Sequence, residues 1–389
     1  MKKLFSTIIC CLICSTAFMQ VKPEWQDETI PFVGKEYPRT AFMTYSNVDK
    51  ARSNDFNTSP DYKSLNGKWK FNWVPSYKKR PMNFYKTDFD DSAWGEIDVP
   101  ANWEVNGYGN ALYTNHPYEF CPRNPQPPLL PEENPVGSYR KYIEIPEQWN
   151  GKEIFLHIGA VKSGCYLYVN GTKVGYSEDS KTAVEYNITR YLKPGRNLIA
   201  LEVYRWSTGS YLECQDFWRI SGIERDVYLF AQSPVHLRDF SIRQDLDSTY
   251  KNRLFGLDLF LVNANPRQTA QATVSYQLES TSGTRVAEGT QTIKIDSIAT
   301  VHFDAKIAQV APWTAETPNL HQLFIRIEQP GKNPEIIPFR VGFRKLEIRG
   351  NQFLVNGRAV LIKGVNYHDH NEHTGHVLSE ADMRKDFES

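Results

Sequence analysis

The apolar positions from Asn66 onward alternate with period two far more often than with the period of a helix. Lys68-Trp69-Lys70-Phe71-Asn72-Trp73 reads as a half-buried strand, with its aromatic residues on one face. Ser138–Ile145, Ile154–Ile158, Cys165–Val169, Leu198–Trp206 and Asp226–Phe230 repeat the pattern. Asn170-Gly171, between Val169 and Thr172, predicts a type I′ hairpin, because both central residues must take positive φ. Regularly spaced strands with aromatic faces over residues 46–233 predict a jelly-roll β-sandwich. Seven prolines between Pro117 and Pro135 exclude a central strand there and predict an ordered loop within the same domain.

The pattern changes near Pro234. Residues 234–343 carry Leu254–Val262, Thr273–Leu278, Thr292–Ile295 and Leu323–Ile327, short strands with few aromatics and Gly/Ser/Thr turns. An immunoglobulin-like β-sandwich follows from that spacing, with no site chemistry of its own. In residues 344–389, Phe353–Val355, Asn356-Gly357 and Ala359–Ile362 predict a second hairpin. A loop with several histidines comes next. Ser379-Glu380-Ala381-Asp382 then reads as a capping box opening a helix.

Composition narrows the function. The 389 residues balance 45 Lys+Arg against 45 Asp+Glu, which argues against nucleic acid as a partner. Residues 1–17 read as a secretory signal, with Lys2 and Lys3 before the apolar run Leu4–Cys14 and small Ser15 and Ala17 at its end. That run is too short to span a bilayer, so a secreted or periplasmic protein without a membrane partner is expected. Residues 18–45 form a polar, irregular arm. Cleavage removes Cys10, Cys11 and Cys14. The remaining Cys121, Cys165 and Cys214 are odd in number and widely spaced, predicting buried thiols rather than a disulfide framework or a metal site.

The run His368-Asp369-His370-Asn371-Glu372-His373-Thr374-Gly375-His376 admits a polar loop or a metal site by composition, although its spacing matches no closed tetrahedral pattern. Asn102 donates and accepts at once, which suits sugar hydroxyls as well as a turn. Asp216 precedes Phe217-Trp218, an apolar setting in which a carboxylate calls for a partner. Trp103, Trp206 and Trp218 suit either ring stacking on sugars or core packing.

Several segments occur together in order. They are Val99-Pro100-Ala101-Asn102-Trp103, Glu133–Tyr139, Gly175–Ser180, Arg205–Ile223, Val341-Gly342-Phe343-Arg344 and Gly364-Val365-Asn366-Tyr367-His368-Asp369-His370. Over about residues 60–389 the chain resembles the N-terminal half of a β-galactosidase of glycoside hydrolase family 2. The resemblance implies a jelly-roll sugar-binding domain, an immunoglobulin-like domain and the truncated start of a (β/α)₈ barrel, a mainly β chain overall. A whole barrel takes about 250 residues.

It also implies β-galactoside as the sugar partner. Asn102, Asp216 and His368 are then the substrate contacts, with His368 at the C-terminal end of the first barrel strand. Asp216 is in addition the implied ligand of a sodium ion whose other ligands come from the barrel, and magnesium is implied for the complete enzyme. Retaining hydrolysis requires two carboxyl groups about 5–5.5 Å apart. Asn371-Glu372 imitates the acid/base motif but lacks the Trp-Ser-x-Gly run before it, so neither catalytic residue is assigned within the chain, and the chain alone is expected to be inactive. The alternatives are a non-catalytic carbohydrate-binding module, or a structural half that pairs with a separately encoded barrel or with further copies of itself.

Overall fold

The computed structural model describes residues 22–213, 216–250, 252–308 and 311–388. The signal sequence at 1–17 and Cys214 lie outside them. Strands dominate, in two successive sandwiches.

The first sandwich packs a seven-stranded sheet against a four-stranded one. The larger sheet runs Phe32–Val33, Thr172–Ser177, Gly164–Val169, Arg196–Tyr204, Val136–Glu144, Gly67–Val74 and Gly95–Val99, with each neighbour antiparallel. The smaller runs Val184–Asn187, Glu153–Ile158, Val227–Gln232 and Tyr62–Ser64. Alternation explains the layering. Trp69, Phe71, Leu167, Leu201, Leu156 and Leu229 point inward and are buried. Asn170 and Gly171 take positive φ, at 50° and 89°, and pair Val169 with Thr172, as the predicted hairpin requires. Residues between Pro117 and Pro135 form a loop of the same domain, packed on the segment after Arg205. Tyr211 Oη donates to the Leu129 carbonyl, and Trp206 Nε1 donates to Glu119 Oε1 at 2.9 Å.

The arm is more ordered than its polar sequence suggests. Phe32–Val33 adds an edge strand, and Trp25 is buried in an aromatic nest, stacked on Tyr204 at 4.7 Å. Further along, Arg39 forks onto Glu185 of the first sandwich, while the Thr40 N–H donates to Asp239 of the second at 3.0 Å. A short helix, Val48–Ser53, follows. It is capped by Asn47, whose Oδ1 accepts from the Lys50 N–H at 2.9 Å.

The second sandwich pairs Val235–Leu246, Asn252–Asn263 and Ile298–Ala308 against the sheet Arg285–Ile295, Ala270–Glu279, His321–Glu328 and Glu335–Val341. Its core mixes aliphatic residues, with Leu257, Leu259, Val274, Leu323 and Ile325 fully buried, and buried rings such as Phe42, Phe255 and Phe343.

Past Leu346 the hairpin forms as expected, with Asn356 and Gly357 at positive φ. The expected strand Ala359–Ile362 does not. Its paired part is Arg358–Ala359, and Leu361, Ile362 and Val365 stand 80%, 80% and 90% exposed. A parallel barrel strand needs hydrogen-bonding neighbours on both sides, and none is present among the described residues. The helix Glu380–Glu388 opens on a reciprocal cap. Ser379 Oγ accepts from the Asp382 N–H at 3.1 Å, and Asp382 Oδ2 accepts from the Ser379 N–H at 2.9 Å.

Candidate sugar-binding site

A small three-stranded sheet closes one end of the first sandwich. Gly222–Ile223 lies in its centre, flanked by Ala101–Asn102 and Val161–Lys162. Gly222 is opposite both Asn102 and Lys162, so these two side chains share a face. At Gly222, φ is +122°, and a Cβ would lie 2.4 Å from the Ala101 carbonyl oxygen, so only glycine fits. Beside this sheet the ribbon Leu112–Thr114 and Phe217–Arg219 carries the Phe217 and Trp218 rings.

The histidine loop docks onto this end. Asn371 and Gly375 exchange backbone hydrogen bonds at 2.8 and 2.9 Å, which closes the loop and delivers His376 inward. The His376 N–H donates to Asn102 Oδ1 at 2.8 Å. Asn102 Nδ2 donates to the Ser221 carbonyl at 3.1 Å and to Glu224 Oε1 at 3.2 Å. Ser221 is held in turn by its N–H donating to Glu104 Oε2 at 2.8 Å. Gly375 passes so close that a Cβ would sit 2.6 Å from Asn102 Oδ1.

Glu224 is the electrostatic centre of the junction. Its side chain is 2% exposed, and its carboxylate takes the Lys181 ammonium on one oxygen and His376 Nδ1, at 2.8 Å, on the other. Burial alone would raise its pKa. The His376 hydrogen bond and the Lys181 charge overcome that and hold the pKa at about 2. Burial, against the opposing pull of Glu224, moves the His376 imidazole below its ordinary value. An Nδ1–H would donate to the ionised Glu224, the Lys181 ammonium stands 3.3 Å from the same nitrogen, and Nε2 is buried without a hydrogen-bond partner among the described residues. Phe217 collects the loop's rings. It stacks on His376 at 4.5 Å and 8°, and meets His368 edge-on at 4.8 Å and His370 at 5.7 Å.

Of the residues expected from sequence, Asn102 is wholly enclosed, at 0% exposure, with both N–H groups and its carbonyl engaged by the chain itself. Asp216 is exposed at the start of the ribbon, one residue before Phe217. His368 is exposed apart from its edge contact with Phe217. Glu372 projects into solvent with 83% of its side chain accessible, beside His373 at 3.6 Å. Trp103 is fully buried and belongs to the core, whereas Trp218 is half-buried with its ring 6.0 Å from His370. Among the described residues no three His, Cys, Asp or Glu side chains assemble into a group able to hold a metal ion. Asp216, the sodium ligand that the resemblance implied, stands outside any such group.

Glu224, Lys181 and Lys162 were not singled out by sequence, and His376 stood out only as the last member of the histidine run. The contact from His376 to Glu224 spans 152 positions and that from His376 to Lys181 spans 195, with no local pattern to announce either.

Three consecutive family models match the chain. They are the sugar binding domain of glycosyl hydrolases family 2 over residues 62–233, a second domain of that family over 235–344, and its TIM barrel domain over 346–389. The chain belongs to glycosyl hydrolase family 2. Relatives include a β-galactosidase of Priestia megaterium, 35% identical over 371 residues, covering 94% of this chain and 36% of that protein. Another is a β-galactosidase of Halalkalibacterium halodurans, 38% identical over 329 residues, covering 84% of this chain and 32% of that protein. The chain thus spans about a third of the length of the curated relatives it matches. Among solved structures, a Bacteroides uniformis β-glucuronidase superposes with a TM-score of 0.70 at 22% identity, covering 84% of this chain and 37% of that one. That likeness bears on the fold alone.

Proposed function

We propose that the chain is the sugar-binding portion of a retaining β-galactosidase-type glycoside hydrolase, taking terminal β-D-galactosides at the junction of the Phe217 ribbon and the histidine loop. The observation that carries this reading is the stitching of the loop to the jelly roll through His376, Asn102 and Phe217. It brings the exposed His368 to the edge of the Phe217 ring, with the exposed Asp216 one residue before that ring in the chain. A carboxylate and an imidazole beside an aromatic face match the needs of a sugar, whose hydroxyls donate and accept while its C–H face stacks. Asn102 acts as a positioning residue, since its amide holds the loop.

Chemistry requires two carboxyl groups on either side of the glycosidic bond. Glu224 is spent on Lys181 and His376, and Glu372 points to solvent. In the proposal both catalytic carboxylates, and the remaining sodium and magnesium ligands, belong to a complete barrel. A barrel supplied in trans is the second reading, and in either case Leu361, Ile362 and Val365 form an exposed apolar strip that a complete barrel would cover. Export to the periplasm or medium rests on residues 1–17 and is read out by cell fractionation. Among the described residues no helix is long and apolar enough to cross a membrane.

Turnover of a chromogenic β-galactoside tests the division of labour. The purified chain is expected to release no chromophore, and to do so once mixed with a polypeptide carrying the barrel. Turnover by the chain alone that Glu372→Gln abolishes would overturn the assignment.

A further inference from the structure

Beside the junction, a trough of about 440 Å³ runs between the arm and the segment that leads to Asp216. A smaller cavity of about 230 Å³ carries the Phe217 and Trp218 rings, and the two share Asp179, Leu212 and Glu213 as walls. The trough therefore continues outward from the Phe217 ring to the arm. Its volume falls within the about 300–1,000 Å³ of small-molecule sites.

One wall is internally satisfied. The buried Glu178 accepts from the Tyr176 hydroxyl at 2.6 Å, the Thr208 hydroxyl at 2.9 Å and the Gly209 N–H. Glu213 accepts from both the N–H and the hydroxyl of Ser180. The Glu178 N–H donates to the Pro31 carbonyl at 3.0 Å, which ties the arm to this wall.

The other lining groups are open. Phe32 is 51% exposed and Leu212 is 88% exposed, so both offer apolar surface to an occupant. Glu28 and Lys35 make no side-chain hydrogen bond or ion pair among the described residues, and the Lys35 ammonium stands 5.7 Å from the Phe32 ring centre. Asp179 takes the Thr182 hydroxyl on one oxygen, and its other oxygen accepts nothing among the described residues. Its φ of +87° is left-handed backbone on a residue other than glycine, a strained conformation of the kind that collects at functional sites.

Apolar surface beside two free acceptors and a free donor suits a neutral sugar. The C–H face of the sugar packs on the ring, while its hydroxyls donate to carboxylates and accept from an ammonium. Two carboxylates against one ammonium disfavour an acidic occupant. We propose that the trough is a leaving-group subsite built partly by the arm, in which Phe32 and Leu212 take the apolar face of a neutral sugar linked to the galactosyl unit, and Glu28, Lys35 and Asp179 take its hydroxyls. The inference rests on the galactoside reading above and adds the leaving group to it, with Phe32 setting the preference for longer substrates.

Calorimetric titration of the full chain with β-(1→4)-galactotriose and with methyl β-D-galactopyranoside tests it. The trisaccharide is expected to bind about three- to tenfold more tightly, the worth of covering the exposed half of one phenylalanine. Phe32→Ala should remove that gain and leave the methyl glycoside unchanged. Glu28→Ala, at an exposed position, should also lower the gain, and it decides the matter if Phe32→Ala does not fold.

Equal affinities for the two ligands, or a gain that survives the substitutions, would overturn the subsite while leaving the galactoside reading intact. Weakening of both ligands alike by Phe32→Ala would make the arm a support of the fold and overturn the subsite too. Cellotriose that binds as tightly as galactotriose would detach the trough from the galactosyl site. Absence of binding by either galactoside would overturn both readings.

Discussion

Replacing Glu224 with alanine is expected to cost about 3 kcal/mol of stability and to release the histidine loop. Breaking a buried ion pair by removing one partner costs roughly 3–5 kcal/mol. The lower end applies because the Lys181 head is half-exposed and its share is screened. The loss has named components. The alanine leaves Lys181, His376 Nδ1–H and one Asn102 N–H without their acceptor.

The pH dependence has a definite sign. The folded Glu224 pKa of about 2 lies below the ordinary 4.5, so its contribution is fully present above about 4.5 and is lost as pH falls towards 2. His376, also depressed, works in the same direction. The unfolded chain takes its proton below about 6.5 while the folded one resists, so stability begins to fall there. Chemical denaturation at a series of pH values reads both effects. The wild type should lose stability steadily from about pH 6.5 downward, and the alanine variant should be less stable at neutral pH with a flatter acid limb. Identical pH profiles would show that the Glu224 cluster does not hold the junction.

The second large effect belongs to Arg39, in the arm. Its guanidinium forks onto Glu185 at 2.8 and 3.0 Å, donates to the Thr40 carbonyl at 3.1 Å, and lies between the Phe42 and Phe230 rings at 4.6 and 4.7 Å. Phe42 belongs to the core of the second sandwich, and Phe230 lies on a strand of the first. One side chain therefore ties the arm and both sandwiches together. Arg39→Ala is expected to cost about 3–5 kcal/mol, because both partners are nearly inaccessible and, among the described residues, the Glu185 carboxylate keeps only the His157 hydrogen bond at 3.0 Å. Arg39→Lys should recover only part of this, since an ammonium cannot make the fork or stack between two rings. Calorimetric unfolding is the readout. The alanine variant should separate into two transitions, one for each sandwich, where the wild type shows one. A single transition at the wild-type temperature would remove Arg39 from any coupling role.

Much of the architecture was legible because it is written in local pattern. Lys68–Trp73 alternates, Asn170-Gly171 and Asn356-Gly357 demand positive φ, and Ser379 with Asp382 closes a cap. These features depend on residues a few positions apart. The proposed site was legible only in pieces, as Asn102, Asp216 and His368 within recognisable segments. What joins them was not, because His376 and Glu224 are an ordinary loop histidine and an ordinary glutamate until the fold brings them to 2.8 Å. Asn102 was legible as an amide suited to sugar hydroxyls, and the fold adds the hydrogen bond that it accepts from the His376 backbone. The strand expected at Ala359–Ile362 stops at Ala359, because an apolar run specifies a barrel strand only when neighbouring strands are there to pair with it.

In the proposed function a β-galactoside binds where His368 meets the Phe217 ring, next to Asp216 in the chain. Isothermal titration of methyl β-D-galactopyranoside into the full chain, repeated with Asp216→Asn and His368→Ala, tests it most directly. Saturable binding to the wild type, weakened about tenfold or more by either substitution, is the expected result. No saturable heat, or unchanged affinity in both variants, would contradict it.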